Sequence, residues 1–536
     1  MEKKFFSVFL CIVIIFINLS GCKKSKDLPE NQVIKYNLDN EPNSLDPQVC
    51  NDYAANTVIM NIFEGLVRLD ENDNIIPGVA TSWDVSADGL TYTFHLRESA
   101  AWSDSEKTSV TAEDFVFGFQ RALSSYTKSP KAYTLYCIKN AQKVNLNGAD
   151  VTSLGVKAVN SRTLIIELEY PMEHFLSLLT TPPTMPCNRA FFEKTNGQYG
   201  LESSTILCNG AFKVKKRYGW DHYNTLNLVA NENYSGQNIP VPAGVSFTIG
   251  KDVSDAVNLI SNSTIDAALL ASQEQINAAN NKNFSMFSFK DTIWGLAFNT
   301  QDMLFSNLDV RLGFLKSLDR EHILSSIPEN CEVINDIILD GLTVNGQNFR
   351  EVAGSNLHLK ADANAKNYIE AGLQKLKSAP RFTILCLDTP EMKSIVSNMI
   401  ESLNANLGYY FNMEPVSRSA LKSRIASKNY QVAFLPISFE SQFALDFLNI
   451  FKSDNIKNVV NLNDSEYDKL LNNAISSMPK ESVKYLVLAE KFLNDKAIFY
   501  PMFAQNNFFA CSSKVSRLIV HNYSQGIDFF FATKVK

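Results

Sequence analysis

The sequence lacks the common signatures of catalysis and of nucleotide binding. Its 536 residues contain no G-x-S-x-G nucleophile elbow, no H-E-x-x-H zinc motif, no P-loop and no G-x-G-x-x-G turn. Histidine is scarce: the chain has six, and none has a neighbour at the spacing of a metal ligand. These absences indicate a protein that is not an enzyme and that holds neither a metal nor an organic cofactor.

Charge of either sign is also sparse and evenly spread. Charged residues make up 20% of the chain, hydrophobic residues make up 45%, and the formal net charge is −6. A mildly acidic chain without a long basic run argues against nucleic acid as a partner. The composition is typical of a globular protein, and the length predicts two or three lobes rather than one compact core.

The chain has one long apolar run, at its N-terminus. Two lysines precede the run at 5–17, which is too short for a typical membrane-spanning helix and is typical of a secretory signal. The tetrapeptide L-S-G-C that ends at Cys22 resembles a bacterial lipobox, so we expect residues 1–21 to be removed and the Cys22 thiol to carry a lipid. An ordinary signal peptide, or a cysteine there by chance, is the alternative. Residues 22–31 fit a short polar tether.

The cysteines show no metal-binding pattern. Of nine in the chain, Cys11 leaves with the predicted signal and Cys22 is the predicted lipid carrier. The remaining number is odd, so at least one thiol is expected to be unpaired; export permits disulfides without requiring them. Because no two cysteines form a C-x-x-C pair, a zinc site is not expected.

Local patterns predict an alternation of strands and helices. Strands are predicted at 33–38, 91–97, 154–159 and 163–168. Thr111 is followed by two carboxylates and predicts the start of a helix, on which Phe115 and Phe119 share the buried face. Apolar residues with helical spacing predict another helix over 392–403, which Gly408 can close.

Several longer motifs resemble one known family. The stretch 61–123 contains N-I-F-E-G-L-V-R-L-D, then T-Y-T-F-H-L-R, then V-T-A-E-D-F-V-F-G-F-Q-R-A-L. Shorter motifs are E-P-N-S-L-D-P at 41–47, N-G-A-F-K-V at 209–214 and N-E-N-Y at 231–234. The segment 127–140 is similar to the insertion of an oligopeptide branch. On these residues the chain resembles the oligopeptide-binding proteins of ABC transporters, the periplasmic solute-binding proteins of family 5.

The resemblance implies an α/β fold of the periplasmic-binding-protein type II (venus flytrap), with two lobes and an additional domain. The implied division is lobe one at 32–66, 188–290 and 496–536, the extra domain at 67–187, and lobe three at 291–495. Within lobe three, Asp309 and Arg311 lie near the start of a family helix at 305–323. We expect them to be structural residues, and more specifically a solvated or locally paired surface couple that contributes little.

The resemblance also implies a ligand anchor in lobe three. The family holds the amino terminus of a peptide with an acidic residue in a W-C-A-D-Y segment that precedes F-L-N. Here Phe447-Leu448-Asn449 supplies F-L-N, and counting back without a gap places Glu440 at the acidic position. A carboxylate facing an ammonium in a closed cleft is worth roughly 1.5–3 kcal/mol and selects a free amino terminus. The alternative is an ordinary loop carboxylate.

Four further residues take family positions that line the cleft. Ser438 would bind the backbone of the ligand as a strand-edge residue. Pro436 matches a family glycine, and proline has no N–H to donate. On lobe one, Asn51 and Tyr53 match cleft positions, with a surface loop as the alternative.

Two departures from the family leave the ligand open. Phe434 stands where the family has an arginine that can meet a ligand carboxylate, and Pro436 stands where it has a glycine. The length of the ligand and its carboxylate contacts are therefore not determined. Thr292 and Ser438 also stand where the family has cysteines.

The predicted function is that of a lipid-anchored receptor on the periplasmic side of a bacterial membrane. It would capture oligopeptides as a monomer and deliver them to an ABC permease. Alternatives are a receptor of the same scaffold for a cell-wall peptide, metal chelate, haem or other nutrient, a surface lipoprotein that binds host molecules or has a structural role, and a hydrolase.

Overall fold

The computed structural model describes residues 32–252, 254–270, 272–355, 361–374, 380–439, 441–455, 457–521 and 526–535. The predicted signal and tether, the predicted lipid carrier Cys22 and the predicted anchor Glu440 lie outside the described residues.

The described chain alternates strands and helices. The strands are β1 Val33–Leu38, β2 Val67–Leu69, β3 Ile75–Pro77, β4 Ala80–Val85, β5 Thr91–Leu96, β6 Val156–Asn160, β7 Thr163–Glu167, β8 Phe212–Val214, β9 Trp220–Asp221, β10 Thr225–Ala230, β11 Gly244–Ile249, β12 Ala267–Leu270, β13 Ser285–Phe298, β14 Cys331–Val333, β15 Thr343–Val344, β16 Gln347–Asn348, β17 Arg381–Leu387, β18 Tyr410–Val416, β19 Val432–Ser438, β20 Phe499–Cys511, β21 Val515–Ser516, β22 Ile519–Val520, β23 Ile527–Asp528 and β24 Thr533–Lys534. The α-helices span Tyr53–Ile62, Ala112–Leu123, Ala141–Asn147, Phe175–Leu178, Arg189–Lys194, Ala256–Ser261, Gln273–Asn281, Leu308–Lys316, Arg320–Leu324, Phe349–Ala353, Ala365–Leu373, Pro390–Leu407, Arg418–Ala426, Ala444–Asn449, Ser465–Ser476 and Pro479–Asp495. Short 3₁₀ helices span Ala132–Leu135, Val151–Ser153 and Pro182–Thr184.

One large mixed sheet runs through the molecule. Its strand order is β18-β17-β19-β13-β20-β12-β1-β11-β10-β8, with β14 beside β20 and β9 beside β10. In its middle, β13 and β20 form a long antiparallel ladder, from Ser285 opposite Cys511 to Ala297 opposite Phe499. The ladder is interrupted by register shifts between Lys290 and Thr292 and between Trp294 and Gly295.

Two large hydrophobic cores lie along this sheet. The first draws on residues 34–267 and 509–532, and the second on residues 293–504. β13 and β20 reach both cores: Phe289 and Phe509 pack with the first, and Phe298 and Phe499 with the second. The chain therefore passes between the two cores on two neighbouring strands.

A second sheet packs beside the first core and confirms local predictions. It has the order β4-β5-β7-β6, and Phe94 lies opposite Leu164. Both side chains are fully buried, so the predicted alternation of the two strands is confirmed. The predicted helix begins after Thr111, whose N–H donates to the carboxylate of Asp114 at 2.8 Å. Its Phe115 is also fully buried, as predicted.

In the second core, one helix matches its prediction and one ion pair does not. Helix Pro390–Leu407 ends at Gly408, whose φ of +72° closes it as predicted. The expected surface pair of Asp309 and Arg311 is wrong, because Arg311 is buried. Its guanidinium donates to the carbonyl oxygen of Lys496 at 2.8 Å, and burial lowers the pKa of Arg311 to about 10. The side chain therefore ties its helix to the segment before β20.

The family motifs meet in a group that we call the Glu64 cluster, which consists of buried Glu64 and Asn209 and half-buried Arg97 and Tyr234. The carboxylate of Glu64 accepts from Arg97 at 2.5 Å and from the Tyr234 hydroxyl at 2.6 Å. Its backbone N–H donates to the side-chain oxygen of Asn209 at 3.1 Å, and the Asn209 amide donates back to the Glu64 carbonyl at 2.8 Å. Each of the four residues belongs to a different motif, so these four motifs meet in one network of hydrogen bonds.

A second group, the Asp46 cluster, comprises Asp46, Gln48, Arg121 and Phe192. Arg121 donates to both carboxylate oxygens of Asp46, at 2.6 and 3.0 Å, and to the Gln48 side-chain oxygen at 2.6 Å. Its guanidinium lies 3.9 Å from the centre of the Phe192 ring. Asp46 and Arg121 are 4% and 8% exposed, so this is a buried ion pair. It fastens the E-P-N-S-L-D-P loop to helix Ala112–Leu123.

Candidate functional site

A cavity of about 340 Å³ lies between the two cores. One wall is made by residues 56–183 and the facing wall by residues 343–486. About half of the lining residues are aromatic, aliphatic or proline, and the other half are polar, six of them with titratable side chains. A lining that combines apolar surface with polar groups suits a small ligand.

The carboxylates of the cavity all have partners within the protein. Asp73 accepts from His521 at 2.6 Å, and Glu173 accepts from the backbone N–H of Gly346 at 2.7 Å. Asp446 accepts from the Ser441 hydroxyl at 2.5 Å. The acidic groups of the lining therefore serve to hold the walls in place.

One ion pair joins the two walls. Nε2 of His174, from the first wall, lies 3.1 Å from Oδ1 of Asp446, from the second. The imidazole also stacks on Phe443 of the second wall, with ring centres 4.4 Å apart. Burial opposes the charge of the imidazole, but the carboxylate outweighs it and raises the pKa of His174. Burial acts to raise the pKa of Asp446, and the imidazole outweighs that effect and lowers it.

Two further contacts close the same edge of the cavity. The Glu173 carboxylate on one wall holds the Gly346 N–H on the other. Nζ of Lys457 lies 5.8 Å from the ring centre of Tyr133, across the gap. The structure therefore has its walls in contact along this edge.

The predicted ligand residues of β19 lie beside the cavity rather than in its lining. Ser438 is exposed at the end of the strand, directly opposite Thr292 of β13, with the two hydroxyl oxygens 3.0 Å apart. Pro436 is half-buried and lies opposite Trp294. The described cavity lining includes neither Ser438 nor Pro436. It does include Phe439 and Ser441, the neighbours of the predicted anchor Glu440, which is outside the described residues.

The predicted residues of lobe one are also outside the lining. Asn51 and Tyr53 are exposed, before and at the start of helix Tyr53–Ile62. Asn56, one turn later, does line the cavity. Partial desolvation, and then the charges of Asp39 and Asp291, raise the pKa of Tyr53 to about 12. Tyr53 therefore lies near the crossing strand β13, next to the cavity.

A buried carboxylate at the crossing was not singled out from the sequence. Asp291 of β13 is 8% exposed and accepts from the Thr292 hydroxyl at 2.9 Å and from the Asn507 amide at 2.6 Å. Burial raises its pKa. The available signal was the one acidic residue of a strand that becomes apolar after Thr292. His174 and Asp446 offered no such signal, because the two partners are far apart in the sequence and belong to opposite walls of the cavity.

Other predictions concern cysteines, metals and membranes. The seven cysteines from position 50 onwards, all within the described ranges, are free thiols. Among the described side chains, no group of three or more His, Cys, Asp or Glu residues is placed to hold a metal. Of the helices in the described part of the chain, none has both the length and the apolar character needed to cross a bilayer.

Comparison with known proteins tests the predicted family. Residues 74–458 match the family described as bacterial extracellular solute-binding proteins, family 5 Middle. The chain is 26% identical over 498 residues to the dipeptide-binding protein DppE of Bacillus subtilis, covering 91% of this chain and 90% of that one. It is 27% identical over 502 residues to the periplasmic murein peptide-binding protein MppA of Escherichia coli, covering 90% and 89%.

The fold of a solved structure agrees with the predicted fold. The substrate-binding domain of an oligopeptide ABC transporter from Bacillus anthracis superposes with a TM-score of 0.77 at 27% identity, covering 95% of this chain and 100% of that one. The predicted α/β fold of the type II periplasmic binding proteins is thereby confirmed. Because the matched segment spans more than half of the sequence, the chain belongs to the bacterial extracellular solute-binding proteins of family 5.

Proposed function

We propose that the protein captures oligopeptides between its two lobes and delivers them to an ABC permease. The observation that carries this proposal is the cavity whose two walls belong to different cores joined by two crossing strands. A ligand in that cavity touches both walls, so its binding favours the closed arrangement. A permease that recognises the closed arrangement then receives loaded receptors selectively.

A peptide is the ligand that the neighbouring backbone favours. β19 pairs with β13 from Val432 to Ser438, but with β17 only at Val432 and Ala433. In the described residues, the stretch from Phe434 to Ser438 therefore has no strand on its second side. An extended peptide can add to such an edge through main-chain hydrogen bonds, and Ser438 at its end can bind the ligand backbone. Pro436 within it donates none.

The proposed architecture follows the division implied by the sequence. Lobe one would comprise 32–66, 188–290 and 496–536, the extra domain 67–187, and lobe three 291–495. The separation of the two cores supports the boundary between lobe three and the rest of the chain, while the proposed lobe one and extra domain share the first core. Asn51 and Tyr53 would face the ligand from lobe one.

The proposed anchor is a lipid on Cys22, which holds a monomeric receptor at the periplasmic side of a bacterial membrane. The support is the L-S-G-C tetrapeptide after an apolar run. Cells that express Cys22→Ser are expected to release the protein from the membrane fraction and to incorporate no labelled fatty acid into it. Retention of label in that variant would contradict the anchor.

Native mass spectrometry tests the ligand class. The refolded mature protein is incubated with a pool of short peptides that includes murein peptides, because the relative from Escherichia coli is named for binding them. Captured peptides of known mass support the proposal. Selective capture of murein peptides supports the alternative that the ligand is a cell-wall peptide. A protein that captures no peptide, and whose melting temperature does not rise with any pool, would overturn the proposal.

The role of Glu440 is tested by the charge of the ligand's amino terminus. Glu440→Gln is expected to weaken peptides with free amino termini about tenfold, because an ammonium loses its charge-assisted partner. Acetylated versions of the same peptides should bind both forms equally. Titration calorimetry measures the four affinities. Glu329→Gln, an exposed position in the same lobe, is the matched control. Equal weakening of free and acetylated peptides would remove Glu440 from the site.

A further inference from the structure

One cation of the cavity has no acidic partner in the described part of the chain. Lys131 lines the cavity and is half-buried. The three lining carboxylates, Asp73, Glu173 and Asp446, are each held by other groups. A half-buried ammonium without an anion loses hydration when the walls close and gains nothing in return. A ligand that brings an anion offsets that loss.

The backbone presents Lys131 rigidly. The residue directly precedes the 3₁₀ helix Ala132–Leu135, and both ends of that helix are buried. Thr134 donates to the carbonyl oxygen of Lys131 from its N–H at 3.1 Å and from its hydroxyl at 2.8 Å. The ammonium is therefore carried by a turn that is fixed to the first core.

A second donor comes from the same turn. Tyr133 lines the cavity, and among the described residues its hydroxyl has no hydrogen-bond partner. An ammonium and a phenol that face one cavity can both donate to the two oxygens of a carboxylate. Burial raises the pKa of Cys50 to about 12, and the nearby charge of Lys131 opposes that rise. Lys131 thus lies next to the loop that holds Asn51.

The position where the family has a carboxylate-binding arginine cannot serve here. Phe434 is fully buried, with its ring centre 5.6 Å from that of Trp294 and 6.0 Å from that of Phe503. It is a residue of the second core. A carboxylate of the ligand must therefore be bound by a residue in another part of the cavity.

We propose that Lys131, with Tyr133 beside it, binds a carboxylate of the ligand and so selects anionic ends or side chains. This inference rests on the proposed function, because it takes the ligand to be a peptide in this cavity. The carboxylate is either the C-terminus of the peptide or an acidic side chain. The experiment separates these sources.

Three synthetic libraries of tri- to pentapeptides are offered to the mature protein. The first has free C-termini and no Asp or Glu, the second has amidated C-termini with Asp and Glu, and the third is amidated and has no carboxylate at all. Affinities are measured by competition against a captured peptide. The wild-type protein is expected to bind the third library about tenfold more weakly than the first or the second, and the stronger of these two identifies the source.

The variant Lys131→Gln should bind the three libraries with similar affinity, while Lys128→Gln should keep the wild-type preference. Lys128 is exposed three positions away and does not line the cavity, so it controls for the lost charge. An unchanged melting temperature shows that Lys131→Gln is folded. The inference is overturned if the wild type treats the three libraries alike, or if Lys131→Gln retains its preference. If the wild type binds no peptide at all, the proposed function fails first and this inference fails with it.

Discussion

Replacing Arg121 by methionine is expected to lower the apparent free energy of unfolding by about 3–5 kcal/mol, the cost of removing one partner from a buried ion pair. The reason is the carboxylate left behind: Asp46 is 4% exposed and loses two donors at 2.6 and 3.0 Å. Methionine keeps most of the packing against Phe192. The loss of unfolding free energy therefore measures the effect of the missing arginine charge rather than of missing side-chain volume. Urea unfolding followed by fluorescence measures the change.

A half-exposed ion pair provides the control. Arg424 makes a two-pronged contact with Glu414 at 2.6 and 3.1 Å, but the side chains are 28% and 37% exposed. Arg424→Met should therefore cost under about 1 kcal/mol. The double variant Asp46→Asn with Arg121→Met should be less unstable than the sum of its single changes, because the two residues act as one unit. Equal losses at Arg121 and Arg424 would contradict this account of the Asp46 cluster.

The second large effect is expected at the ion pair that joins the cavity walls. His174→Gln should weaken the captured peptide about thirtyfold near pH 6, roughly 2 kcal/mol, a value between those of exposed and buried pairs. The intermediate value is chosen because the Asp446 side chain is 40% exposed. Calorimetric titration at several pH values measures the effect.

The pH dependence has a definite sign. The carboxylate of Asp446 raises the pKa of His174 when the walls are closed, so the pair favours closure fully below the ordinary range of histidine, near 6.5. This contribution is lost as the pH rises through the raised value. The imidazole lowers the pKa of Asp446 below its ordinary 3.8, so the contribution is lost again only in stronger acid. Affinity should therefore be higher near pH 6 than near pH 8.

Two other charged groups act on this pair: Glu173 acts on His174, and Lys457 acts on Asp446. His174→Gln should flatten the pH profile. His95→Gln, which removes an exposed pair with Asp84 at 2.9 Å, should leave the profile unchanged. A profile that keeps its slope without His174 would show that another group controls closure.

Local patterns in the sequence predicted the elements well. The alternation around Phe94 and the capping residues after Thr111 specify a strand and a helix within about ten residues of chain, and the structure has both. The Asp309–Arg311 expectation failed for the converse reason. Arg311 is satisfied by the carbonyl of Lys496, a partner that no local pattern reveals.

The candidate site was less accessible to sequence reasoning. Counting from Phe447-Leu448-Asn449 pointed to Glu440, whose neighbours Phe439 and Ser441 line the cavity, and the role of Glu440 stays a prediction. Lys131 and His174 have no sequence signal of their own, because their meaning depends on which side chains the fold brings opposite them. The motifs themselves gave no help with the ligand, since the ion-paired residues of the Glu64 and Asp46 clusters contact one another.

The two register shifts in the β13–β20 ladder have a consequence for how long a ligand stays bound. A bulge leaves a residue without its ladder partner and bends the strand, so we expect the ladder to flex most near Thr292 and Gly295. We expect two adjacent strands that flex near the same place to leave the lobes one main axis of rotation. Release then requires one collective motion rather than the independent loss of each contact. The residence time of a peptide should accordingly follow the rate of that rotation, and variants that stiffen the ladder should slow release and capture together.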